Sequence, residues 1–198
     1  MSKLVYGVGF NDKTKPVFVD GKPVKEYSLW KDMLRRCFSE KEQTRQPTYR
    51  GCNVSDNFLS YSFFYDWCQE QIGFGNVDEK GRSWCLDKDL LFVDNKTYSE
   101  TTCVFVPHEI NTFFIDRGNA RGEYPLGVYF HKQKGKFVAQ CALNGKQQQQ
   151  HLGHFNTPQE AFAVYKPFKE NLCKQLALKL QTEIDERLFN AMMNWTVN

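Results

Sequence analysis

The spacing of apolar residues divides the chain into stretches of different period. Leu4 to Gly9 and Val17-Phe18-Val19 read as short strands, the second followed by the turn signal Asp20-Gly21. Tyr27, Trp30, Met33, Leu34, Cys37 and Phe38 then recur at three- and four-residue steps. This spacing predicts an amphipathic helix over 28–38, capped by Ser28, with Lys31, Arg35 and Arg36 on its exposed face. A second helix is expected over 53–71, capped by Ser55 or Asp56. Phe58, Tyr61, Phe64, Tyr65 and Trp67 wrap much of its circumference, so it should be largely buried. Gly73, Gly75 and the run DEKGR at 78–82 mark a long loop and an internal boundary. Beyond it, 84–93 reads as a strand with a continuous apolar end, and 103–106 as a shorter one. Pro107 then opens a short helix over 108–114, because proline is favoured at the first helical position. Asp116-Arg117-Gly118-Asn119 reads as the loop that ends it.

The C-terminal third has the clearest pattern. Strands are expected at 128–131, 136–143 and 148–153, with Asn144-Gly145 as a hairpin turn. In the middle strand Phe137, Ala139, Cys141 and Leu143 alternate with Lys136, Val138, Gln140 and Ala142, so the two sets face opposite ways. Thr157-Pro158-Gln159-Glu160 is a capping box. Behind it Ala161, Tyr165, Phe168, Leu172, Leu176, Leu180, Ile184 and Leu188 form one helical stripe, interrupted by Pro167, which should kink the helix.

Composition narrows the class without naming a function. The chain has 198 residues, 41% hydrophobic and 25% charged, as in an ordinary globular protein with room for its own core. No apolar run approaches the roughly 18 residues of a membrane span, and no secretory signal is expected at the N-terminus. Seven cysteines without a C-x-x-C pair read as reduced, buried thiols, with a zinc site assembled from distant cysteines as the alternative. The net charge of +3 is unevenly spread. Residues 1–50 carry eleven Lys/Arg against six Asp/Glu, and 124–159 hold four lysines, three histidines and no acid. A stretch without carboxylates is the footprint expected for a polyanion partner.

Candidate chemistry lies in 84–111. Strand, loop, strand and helix is the order of a ββα-metal nuclease site, which needs a divalent ion to neutralise phosphate and a base to activate water. Asp87 in the first strand and Asn111 in the helix are the candidate metal ligands.

On these residues the segment resembles the HNH endonucleases in the degenerate form common among tailed phages. Asp87 matches the family's metal-binding aspartate and Asn111 its final ligand. Lys88 falls where the general-base histidine belongs, and Thr102 where the central asparagine belongs. His108, one turn before Asn111, could supply the missing base. The runs YSLWKDMLRRC and PTYRGCNVSDNF resemble the family's N-terminal region, and Cys37, Cys52 and Cys103 stand where such proteins commonly carry cysteine. Residues 127–166 resemble the plant ethylene-response-factor type of DNA-binding domain, through Gly127-Val128, Gly135-Lys136-Phe137, Ala139, Leu152-Gly153, Phe155, Thr157, Glu160-Ala161 and Tyr165. That resemblance implies a DNA face made of Tyr129, His131, Lys134, Lys136, Gln140, Ala142, Gln149 and His151.

Together these readings imply an α+β chain. Residues 1–123 would hold an N-terminal helical region and a degenerate ββα-metal core at 84–114. Residues 124–198 would form a three-stranded antiparallel sheet packed on a long C-terminal helix. The implied activity is that of a homing-type DNA endonuclease or nickase of a phage, acting on double-stranded DNA in the host cytoplasm. Mg2+ would be held by Asp87 and Asn111, with Lys88 or His108 activating water or holding phosphate. The alternative is a catalytically inactive DNA-binding protein, or a phage inhibitor of a host protein.

Overall fold

A computed structural model describes residues 4–114, 123–143 and 148–197. The chain is a mixed α+β protein that divides into two compact units, Met1–Val106 and Pro107–Asn198. The boundary drawn from sequence at 123/124 lies inside the second unit. Among the described residues no helix is long and apolar enough to cross a membrane. The expected turn at Asn144-Gly145 and the loop at Asp116 to Asn119 lie outside the described residues.

In the first unit, Phe18–Val19 (β1) and Lys22–Pro23 (β2) pair as a hairpin across the expected turn. Asp20 and Gly21 both have positive φ, 50° and 73°, as a two-residue hairpin turn requires. Leu4 to Gly9 is not a strand. Val5 and Gly9 exchange backbone hydrogen bonds at 2.8 Å, with Tyr6 and Gly7 at positive φ between them, so the segment is a tight turn. A side chain at Gly9 would lie 2.3 Å from Leu34 Cδ1, so only glycine lets this turn approach the next helix.

That helix, Lys25–Phe38 (α1), starts ahead of Ser28. Val24 takes the cap position without a side-chain bond, and the Ser28 hydroxyl donates one turn back to the Val24 carbonyl at 3.2 Å. The predicted stripe is present: Trp30, Met33, Leu34 and Cys37 are buried. The polar positions that follow form a short helix, Glu40–Arg45 (α2), capped by Ser39.

The single helix expected over 53–71 is instead three elements, Asn53–Val54 (β3), Asp56–Leu59 (α3) and Tyr61–Glu70 (α4). Ser55 and Ser60 each accept from the backbone amide three residues on, so each caps a helix. The break at Ser60 frees backbone groups for another partner. The Phe10 amide donates to Leu59 O at 2.8 Å, and the Tyr61 amide donates to Phe10 O at 2.9 Å. Phe58, Tyr61, Phe64 and Trp67 are buried as predicted, and the Trp30 indole donates to Phe58 O at 2.8 Å. The strand β3 pairs in parallel with Thr97–Tyr98 (β5).

In the second unit, Val128–His131 (β7), Lys136–Ala142 (β8) and Gln149–Phe155 (β9) form the expected antiparallel sheet in the order 7-8-9. The helix Pro158–Lys179 (α6) packs on one face, opened by the predicted Thr157/Glu160 capping box and containing Pro167. Its core joins Val128, Ala139 and Cys141 of the sheet to Ala161 and Tyr165 of the helix. The apolar stripe runs past the helix end: Leu180 and Ile184 lie in a turn, and Leu188 belongs to a further helix, Glu186–Met193 (α7), capped by Asp185. Gly127, at φ 75°, lies against Tyr165, where a Cβ would come within 2.0 Å of the ring.

Candidate nucleic-acid interface

The residues expected to do chemistry fall in both units. Asp87 and Lys88 belong to the first, His108 and Asn111 to the second. Each pair is described within its own unit.

Cys85–Asp87 (β4) pairs antiparallel with Val104–Val106 (β6), Asp87 opposite Val104. The strand expected over 84–93 ends at Asp87 for a local reason. Asp87 Oδ1 accepts from the amides of Asp89 and Leu90, both at 2.9 Å, which turns the chain out of the ladder. Phe92 and Val93 are consequently exposed. Burial, then the charge of Asp89, raises the Asp87 carboxyl to about 6.

Lys88 points inward and is only 6% exposed. Its ammonium donates to Asp89 Oδ2 at 2.9 Å and to Asn95 O at 3.0 Å. Burial opposes its charge, but the bond to Asp89 and the nearby Cys52 and Asp87 outweigh it and hold Lys88 above the ordinary lysine value. It is an ammonium at neutral pH. The Asn95 amide bonds back to Lys88 O and to Thr97 O, at 2.6 and 2.7 Å, so Asn95 closes the loop. Thr102 donates to Thr97 O at 2.8 Å and accepts from the Ser99 amide, a turn-stabilising role.

All seven cysteines are free thiols, and Cys37, Cys52 and Cys103 are buried. Burial pushes Cys37 and Cys103 up to about 12, so both are protonated at neutral pH. Among the described residues no group of three or more His, Cys, Asp or Glu is placed to hold a metal ion.

In the second unit, His108–Phe113 (α5) follows Pro107, which holds the cap position rather than the first helical one. His108 and Asn111 are half-buried and one turn apart on this helix.

The sheet carries the other candidate residues. Ala139 and Cys141 face the helix, so alternation puts Lys136, Val138, Gln140 and Ala142 on the opposite face. Register aligns partners beside them: His131 opposite Lys136, Tyr129 and His154 flanking Val138, His151 opposite Gln140, and Gln149 opposite Ala142. Tyr129, Gln149 and His151 are exposed, while His131, Lys136, Gln140 and Ala142 are half-buried. Lys134 follows β7 in a 3-10 turn closed by Gly135 at φ 59°. The Lys136 ammonium donates to the Asn156 side chain. The sheet thus brings together seven of the predicted positions, with Lys134 at its edge.

His154 belongs to this group and was missed by sequence reasoning. Strict alternation puts residues 151 and 154 on opposite faces. A register shift between Ala139 and Gln140 opposes Leu152 and Gly153 to one step of β8, and Leu152 packs into the core. The extra residue returns His154 to the face of His151. The available signal was Gly153, a glycine inside a strand, here at φ 140°.

His151 Nε2 lies 3.2 Å from His154 Nδ1, and Lys134 Nζ lies 3.2 Å from His154 Nε2. The rings of His131 and His154 are 6.3 Å apart, and His131 Nδ1 is buried with no hydrogen-bond partner among the described residues. Desolvation, then Lys134 and the other two histidines, lowers the His154 value, so it is neutral at pH 7.

Comparison of the chain with protein-family models, curated proteins and solved structures gives no match.

Proposed function

We propose that the protein binds duplex DNA through the open face of its three-stranded sheet, and that the strands around Asp87 are the remnant of an HNH-type site that no longer cleaves. The observation that carries the binding reading is the composition of that face. Tyr129, His131, Lys136, Gln140, Gln149 and His151 lie side by side, and the chain from 124 to 159 contains no carboxylate. Lysines at the edge would meet phosphates, and the glutamine amides would read base edges, with adenine the preferred partner of a bidentate amide.

The donor set around Asp87 argues against a magnesium site in this unit. Mg2+ takes oxygen donors in near-octahedral geometry at about 2.0–2.1 Å and keeps several waters. Here one Asp87 oxygen is occupied by two backbone amides, and the neighbouring Asp89 is already neutralised by Lys88. An ammonium held by a carboxylate has no lone pair with which to take a proton from water. Lys88 supplies the fixed positive charge that a divalent ion would otherwise bring.

Fluorescence anisotropy with labelled duplex DNA across a salt series tests the binding reading. Salt-dependent binding is expected. Its absence even at about 50 mM salt would leave the host-protein inhibitor as the better reading. Plasmid nicking in Mg2+ or Mn2+ that Asp87→Ala abolishes would overturn the non-cleaving part.

A further inference from the structure

We propose that His131, His151, His154 and Lys134 form a grip for a DNA phosphodiester that is closed at neutral pH and opens when the imidazoles take up protons. The inference rests on the DNA-binding reading and adds its regulation.

The hydrogen-bond geometry assigns the neutral state. An ammonium can only donate, so Lys134 donates to His154 Nε2, which therefore carries no proton. Neutral His154 must then hold its proton on Nδ1, and that N–H donates to His151 Nε2. In this arrangement Lys134 is tethered to a ring, and both imidazoles are uncharged. No anion is gripped by such a chain, because its one charge is already turned toward His154.

Protonating His154 at Nε2 places an N–H against the Lys134 ammonium. Two donors facing each other repel, so Lys134 must swing away into solvent. Protonating His151 at Nε2 likewise breaks the His154–His151 bond. His131 lies beside them with a buried nitrogen that lacks a partner among the described residues. Acidification that protonates these rings therefore converts a closed chain into several N–H donors and a released ammonium.

No carboxylate among the described residues of this sheet cancels this charge. Among the described residues, the other titratable groups of these strands and of the turn after β7 are Tyr129, Lys132 and Lys136. From the helix α6, packed on the opposite face, Glu160 is taken by the amides of Asn156 and Thr157. Lys166 and Glu170 bond to Val197, and Lys169 to Phe113 O. Desolvation first, then Lys134 and the other two histidines, lower the His154 value, so its protonation needs acid below the ordinary imidazole range.

The test uses the full chain and labelled duplex DNA, with salt series at pH 5.5 and pH 8. Each phosphate contact adds about 0.9 to the log–log salt slope. The wild-type slope should be steeper at pH 5.5 by about 0.9–1.8, that is, by one to two contacts. His154→Gln keeps an acceptor for Lys134 but does not titrate, and should lose at least half of that difference. Circular dichroism establishes that the variant is folded, and histidine nitrogen NMR at pH 8 should show His154 protonated on Nδ1. Equal wild-type slopes at the two pH values, with binding intact, would overturn the grip and leave the DNA-binding reading standing. Loss of salt-dependent binding at both pH values would overturn both. An unchanged pH response in His154→Gln, or a His154 proton on Nε2, would overturn the grip alone.

Discussion

Lys88 and Asn95 hold each other across a loop. The Lys88 ammonium donates to the Asn95 carbonyl at 3.0 Å, and the Asn95 amide donates to the Lys88 carbonyl at 2.6 Å. A lysine that was expected to act on a substrate is thereby built into the fold. Asn95→Ala removes three bonds, including those to Lys88 O and Thr97 O, and should destabilise the protein by about 2–4 kcal/mol. Lys88→Met keeps the aliphatic length and should cost less, about 1–2 kcal/mol. Urea unfolding reads both through the midpoint at unchanged slope. A Lys88→Met variant as stable as wild type would show that the ammonium contributes nothing to the loop.

Asp87 makes stability depend on pH in an unusual direction. Its folded value is raised from 3.8 to about 6, so between those values the folded state binds more protons than the unfolded one. Stability then falls as pH rises through that window, and the ionised form is the costly one above it. Asp87→Asn keeps an oxygen for the amides of Asp89 and Leu90 but carries no charge. It should stabilise the protein by about 1–2 kcal/mol at pH 7.5 and by little at pH 4. Thermal melts at the two pH values decide this; a variant less stable than wild type at pH 7.5 would contradict it.

The edge lysines and the central amides should behave differently on DNA. At pH 5.5, where Lys134 is released from His154, Lys134→Ala with Lys136→Ala should weaken binding to all sequences and flatten the salt slope by roughly two. Gln140→Ala or Gln149→Ala should leave the slope in place and change preference at one base pair by about 1–3 kcal/mol. Competition with unrelated duplexes separates the two effects. A glutamine variant that weakened every sequence equally would remove base reading from this face.

Gly153 sustains the bulge. Its φ is 140°, and an added Cβ would stand 3.0 Å from the Phe155 ring. Gly153→Ala should cost about 1–3 kcal/mol. It should also weaken the His151–His154 bond, visible as altered histidine NMR signals. An alanine variant with wild-type stability and unchanged histidine signals would show that the bulge tolerates a side chain.

Much of the second unit was legible in the sequence. Its strands alternate over enough residues for period two to be unmistakable, and Thr157 to Glu160 carry a complete capping box. The first unit was harder to read. Its strands are two or three residues long, below the length at which alternation is visible, and Ser60 breaks a helix whose apolar spacing runs on undisturbed. The apolar run Leu90 to Val93 looked like strand, yet Asp87 turns the chain before it.

The sequence by itself determined the buried aromatic set, the sheet-and-helix order of the second unit and the carboxylate-free stretch, because these depend on local spacing and composition. Only the tertiary structure decided which candidates share a surface. The direction of Lys88 depends on Asp89 and on a carbonyl seven residues away, and the placing of His154 depends on register with a neighbouring strand. Side-chain direction at such positions is set by partners that become neighbours only when the chain folds, so no local period encodes it.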